Sequence, residues 1–205
     1  ERGELQQLEI ASNTMLKRKD SADQLTDDIV DFAATTPFDL QGVASGAKQL
    51  LAYGFTADSI RENLTMLGNV AAGVGSQIGD IIYLYGTLNA QGKVMTKDLM
   101  QFAGRGIPIY KELGAVLQVT EKEVMDLASA GQLSFQHVEQ AFKNMVSSSG
   151  MFHNLMQEQS KSITGQLSNL GDSIDQMFNE MGQSSEGVIT SAISGAAYLV
   201  ENYQK

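Results

Sequence analysis

Along most of the chain apolar residues return every three or four positions, the spacing that gathers them on one face of an α-helix. The every-other-residue alternation of a half-buried strand is scarce. Leu40, Val43, Ala44, Ala47 and Leu51 make one stripe; Ile60, Leu64 and Leu67 make the next. Ile78, Ile81, Ile82, Tyr85 and Leu88 form a third, followed by Ile109, Leu113, Val116 and Leu117, then by Phe135, Val138, Phe142 and Met145. Upstream, Leu5, Leu8 and Met15 mark a helix that breaks near Lys19. Leu25, Ile29 and Phe32 mark a second, capped by Asp20 or Ser21 and running towards Thr36. The pattern predicts an all-α fold.

The breaks between stripes are regular. Gly54, Gly92 and Gly131 lie 38 and 39 residues apart, and each precedes a hydroxyl residue: Thr56, Thr96 and Ser134. Glycine just past a helix end takes positive φ without a Cβ clash, and the Thr or Ser that follows can accept from orphan N–H groups of the next helix. Each pair therefore reads as a stop and a start. Thr120 with Glu123 has the capping-box spacing, and Thr36-Pro37 is expected to cap a helix with proline at its first position. With a further break at Ile107-Pro108, the middle of the chain is expected to fold back on itself. An unbroken helix of all 205 residues would instead span about 300 Å.

Towards the C-terminus the texture changes. Ile163, Leu167, Leu170, Ile174, Met177 and Met181 alternate strictly by four and three, the spacing of a coiled-coil seam. This candidate packing or self-association stripe has two possible uses, as core against the rest of the chain or as a seam for partner helices. Gly165 and Gly171 interrupt it at about 1 kcal/mol each relative to alanine, so its stability must come from packing. Gly182 to Gly187 reads as a linker, before a last helix with Ile189, Ala192, Ile193, Ala196 and Val200 on one face. The expected organisation is connecting helices over 1–35, a compact helical unit over 36–150, a long amphipathic helix over 151–182 and a C-terminal helix over 188–205. The expected architecture is thus an all-α, compact bundle of stacked helical hairpins flanked by longer amphipathic helices.

Composition removes several classes of function. Charged residues are 19% of the chain and the net charge is −10, so the counterion release that drives nonspecific duplex binding has no basic stripe to act through. The run Lys17-Arg18-Lys19 is followed at once by Asp20 and Asp23 and reads as a solvated helix end. With no cysteine, neither a disulfide nor a thiolate zinc site can form. The N-terminal Glu1-Arg2-Gly3-Glu4 does not open a signal peptide and looks like a cut end. The most apolar window, Val188 to Val200, is 13 residues long, short of the roughly 20 that a membrane span needs.

Candidate chemistry is equally sparse. His137 and His153 stand sixteen residues apart with no His-Glu-x-x-His arrangement, and no Gly-x-Ser-x-Gly elbow occurs. Asp20, Asp23, Asp27, Asp28 and Asp31 lack the obligatory glycine and closing glutamate of a calcium loop and read as a solvated helix face. Gly73-Val74-Gly75 has no following lysine and no preceding strand, so it reads as a helix–helix connection and not a phosphate loop. No catalytic, cofactor-binding or metal-binding residues are expected, and no enzyme activity.

An ordered series of short blocks carries a family resemblance. Gln7-Leu8-Glu9-Ile10-Ala11, Phe32-Ala33-Ala34-Thr35-Thr36-Pro37-Phe38 and Ala47-Lys48-Gln49-Leu50-Leu51-Ala52-Tyr53-Gly54-Phe55 come first. Leu67-Gly68-Asn69-Val70-Ala71-Ala72-Gly73, Gly92-Lys93-Val94, Ala103-Gly104-Arg105-Gly106-Ile107-Pro108 and Gly131-Gln132-Leu133-Ser134-Phe135 follow. The series closes with Gly150-Met151-Phe152, Gln159-Ser160 and Gly165-Gln166-Leu167-Ser168-Asn169-Leu170-Gly171-Asp172-Ser173. Together they resemble the tape measure domain of phage tail tape measure proteins, over nearly the whole chain and thinning after about Gly182. Asn69 departs from the pattern, standing where an acidic residue is common.

The resemblance implies a structural component of a phage or prophage tail that sets tail length during assembly and leaves with the DNA at infection. It implies the tail tube and tail-tip proteins, tail assembly chaperones and other copies of the chain as partners. The implied location is the virion tail, and the bacterial host cytoplasm during assembly. It implies no catalytic residues here. The alternative is a membrane-active or peptidoglycan-degrading ejection module.

Overall fold

The computed structural model describes residue 20 and residues 22–161. The first helix, α1, covers 22–35 and buries Leu25, Ile29 and Phe32, the stripe expected of it. Helix α2 runs Leu40–Ala52, α3 Ile60–Val74 and α4 Ile78–Gln91, with a 3-10 turn at Ala57–Ser59 leading into α3. Gly46 lies against Ile82, and further along both helices Tyr53 lies against Gly86, so α2 and α4 run in the same direction. Helix α3 joins them in sequence and packs against both. It ends on Gly75 at φ 67°, the helix–helix connection expected at Gly73–Gly75.

Two starts differ from expectation. The cap expected at Thr36-Pro37 falls in a bend, and α2 begins three residues later, where Asp39 Oδ1 accepts from Gly42 N–H at 2.9 Å. A carboxylate is the stronger acceptor for orphan N–H groups, and at Gly42 no Cβ stands in its way. Within α2, Leu50 is buried and Leu51 exposed, because the buried face advances through Val43, Ala47 and Leu50.

The second half repeats short helices: α5 Thr96–Gly104, α6 Ile109–Leu117, α7 Glu121–Ser129 and α8 Phe135–Val146. Gly54, Gly92 and Gly131 all take positive φ, at 97°, 77° and 68°, as the stop signals require. Thr120 and Glu123 form the expected reciprocal box, with Glu123 N–H donating to Thr120 Oγ1 at 3.2 Å. The other hydroxyl residues act less directly. Thr96 is the first residue of α5, not its cap; the cap is Met95, whose N–H donates to Asp98 Oδ2 at 2.8 Å. Ser134 does hold the cap position of α8, but its N–H donates to His137 Nδ1 at 3.1 Å.

A small sheet was not expected. Lys93–Val94 (β1) pairs antiparallel with Leu133–Ser134 (β2), Lys93 opposite Ser134 and Val94 opposite Leu133. Each strand is the short extended piece left between a glycine stop and the next helix start, too short to show an alternation in sequence. The pairing clamps the start of α5 to the start of α8 and buries Val94 and Leu133.

The result is an all-α fold of stacked helical hairpins around one hydrophobic core. At its centre the Tyr85 ring lies 5.0 Å from both Phe135 and Phe142, and Phe142 lies 5.3 Å from Phe102. Phe55 stacks on Tyr85 at 5.9 Å. The same core takes in Leu25, Ile29, Phe32 and Ala33 from α1 and, beyond α8, Phe152 and Met156. The helix of Leu5, Leu8 and Met15, the stripe Ile163 to Met181 and the C-terminal helix over 188–205 lie outside the described residues.

Candidate functional site

Past Val146 the chain turns back on itself. Phe152 N–H donates to Met145 O at 2.8 Å, and His153 Nδ1 lies 3.1 Å from Val146 O, which closes the C-terminal end of α8. Asn154 takes φ 52°, and helix α9 then covers Leu155–Lys161. This segment lies across α3. Phe152 and Leu155 cover Gly73, and Met156 with Phe32 covers Gly68; a Cβ at either glycine would collide with the ring of Phe152 or the sulfur of Met156. The absent side chains are what let the two elements approach.

Polar contacts fix the register. Asn69, one of few buried polar residues, accepts from Met156 N–H through Oδ1 at 3.1 Å, an otherwise orphan donor at the start of α9. Gln159 Nε2 donates to Ala72 O at 3.1 Å, and Ser160 Oγ lies 3.3 Å from Thr35 O. Four of the blocks that carry the family resemblance therefore meet here: Phe32–Phe38, Leu67–Gly73, Gly150–Phe152 and Gln159–Ser160. The blocks were legible in sequence, but their meeting was not. Asn69, noted only as a departure, supplies the oxygen acceptor that the junction uses.

Beside the junction an open groove of about 740 Å³ is lined by residues including Asp28, Arg61, Glu62, Met66, Asn69 and Lys143. Arg61 bonds to Asp31 and lies 3.6 Å from Asp28. The Asp31 hydrogen bond, more than any other contact, raises the guanidinium pKa from its ordinary value. Part of the acidic run is thus an ion-pair surface towards α3, while Asp20 and Asp27 are exposed. With Arg61 about half exposed, these pairs orient more than they stabilise.

Each histidine is engaged by backbone at a helix end, and Ser134 Oγ also lies 3.4 Å from His137 Nδ1. His137 Nδ1 accepts from Ser134 N–H, and His153 lies between Val146 O and Asn154 Nδ2, so both rings close helix ends. Among the described residues no group of three or more acidic or histidine side chains is placed to hold a metal ion, and no helix is long and apolar enough to cross a membrane. The arrangement offers packing, registration and ion pairing.

No curated protein and no solved structure matches the chain. The tape measure protein family matches residues 2–183, well over half of the 205. By that match, in agreement with the ordered blocks and the helical fold, the chain belongs to the tape measure protein family, a family of structural phage tail components.

Proposed function

We propose that the described helices form a folded knob within a tape measure protein, one that contributes a fixed anchor and not a proportional length of ruler. The observation that supports this is the folding back of α2 to α8 around the Tyr85 cluster. A single helix of 140 residues would be about 210 Å long, whereas here each helix from α2 to α8 ends within 15 residues. The protein that carries this knob sets tail length during assembly and assists genome delivery. Its partners are the tail tube and tail-tip proteins, tail assembly chaperones and further copies of itself, in the host cytoplasm during assembly and in the virion tail afterwards.

The test is to duplicate residues 22–161 in the phage gene and measure tails by electron microscopy. Tails that lengthen by far less than about 210 Å fit a knob; tails longer by the full amount make this segment part of the ruler. The stripe Ile163, Leu167, Leu170, Ile174, Met177 and Met181 is the seam we propose for helix packing or self-association. Leu170→Asp separates its two uses. Loss of self-association with the monomer still folded assigns the stripe to partner helices, and loss of the monomer fold assigns it to the core.

A further inference from the structure

We propose that residues 151–160 are a strap that leaves α3 and re-seats on it as a unit while the remaining helices stay folded. Two observations carry this. First, the hold of the strap is one-sided. Phe152 and Met156 are buried and Leu155 partly so, while Gln157, Glu158 and Gln159 are exposed. Helix α8, by contrast, buries Phe135, Val138, Ala141, Phe142 and Met145.

Second, the seat is made by glycines and does not need its occupant. Helix α3 has 15 residues and is held from other sides by α2, α4 and α8, through Ile60, Leu64, Leu67 and Val70 among others. Lifting the strap uncovers Gly68 and Gly73 but removes nothing from the far faces of α3. Regions with few buried apolar contacts open at lower free energy than the global transition, and the strap is such a region. Asn69 is the positioning residue: its bond to Met156 N–H selects one register each time the strap returns.

Release has a mechanical consequence. The strap joins α8 to the chain beyond residue 161, and ten released residues can extend to about 35 Å at 3.3–3.6 Å each. Seated, the strap itself packs against α1 and α3; lifted, it gives slack without unfolding the knob. This does not depend on which tail component the knob touches.

Native-state hydrogen exchange on the whole chain tests it. The amides of Met156 and Gln159 are expected to exchange at least about tenfold faster than those of Val138 and Phe142, through an opening that low denaturant barely accelerates. Gly73→Ala, which crowds Phe152 and Leu155, is expected to speed strap exchange by about a further tenfold and leave α8 unchanged. The proposal is overturned if strap and α8 amides share one opening and one denaturant dependence in the unmodified chain. It is equally overturned if Gly73→Ala moves both sets together or leaves the strap amides unmoved.

Discussion

Around Tyr85 the helices are held apart by rings, whereas between α3 and α9 they are drawn together by side chains that are missing. In the first region Phe55, Phe102, Phe135 and Phe142 fill the space between α4, α5 and α8, each touching another ring at 5 to 6 Å. In the second, Gly68 and Gly73 admit Met156 and Phe152, and a side-chain oxygen on Asn69 takes a backbone N–H. Volume stabilises one region and fit the other. The ring cluster therefore resists loss of atoms poorly, and the glycine seat resists gain of atoms poorly.

The largest effect is expected at the rings. Phe142→Ala deletes a fully buried ring that contacts both Tyr85 and Phe102, and should lower global stability by about 3–5 kcal/mol. Denaturant unfolding followed by several probes should show one shifted midpoint common to all of them. A loss below about 1 kcal/mol would mean that the centre collapses freely and is not the anchor of the fold.

Asn69→Ala comes next and should act differently. It leaves Met156 N–H without an acceptor, at a local cost of about 1–3 kcal/mol. Because the strap can lift and let water reach that amide, the loss should appear as faster exchange over 155–160 with the global midpoint nearly in place. A midpoint displaced as far as in Phe142→Ala would merge the two regions into one cooperative unit, and the comparison would fail.

The two regions also differ in how far they could be read from sequence. The ring region was legible: Tyr85, Phe135 and Phe142 sat on strict three-and-four stripes, and Gly92 and Gly131 announced the ends of α4 and α7 by a requirement for positive φ that is purely local. The strap seat was not, because Gly73 reads in sequence as part of a helix–helix connection, whereas it lies inside α3 under an element some 80 residues further along the chain. The cap at Asp39 and the β1–β2 pair were missed for related reasons. The first depended on space above Gly42, and the second on two extended pieces some 40 residues apart meeting in three dimensions.

A smaller effect of opposite sign isolates the seat. Gly79 also lies in a helix, near the start of α4, but nothing stands within 4 Å of where its Cβ would be, and its φ is not positive. Gly79→Ala should therefore stabilise by about 0.4–1 kcal/mol through the unfolded chain alone, seen as a raised Tm. Paired with Gly73→Ala, it separates helix propensity from fit. If both substitutions shift stability alike, the close approach of Phe152 to Gly73 has no energetic meaning.

The smallest effect at neutral pH is expected from Tyr85→Phe. The Tyr85 hydroxyl is buried and has no hydrogen-bond partner among the described residues, so removing it keeps the ring contacts and discards a desolvated polar group. Stability at pH 7 should be unchanged or slightly higher. Burial, with the nearby negative charges of Glu139 and Glu62 adding to it, pushes the phenol pKa far above its ordinary value of 10.0. A folded state that holds its proton more tightly than the unfolded one has that contribution fully present below the unfolded pKa and loses it as pH climbs beyond. The parent should therefore lose stability progressively above about pH 10, and Tyr85→Phe should flatten that slope while leaving the acid side untouched. An equally steep alkaline loss in the variant would place the titrating group elsewhere and leave the buried Tyr85 hydroxyl without a part in the alkaline limit.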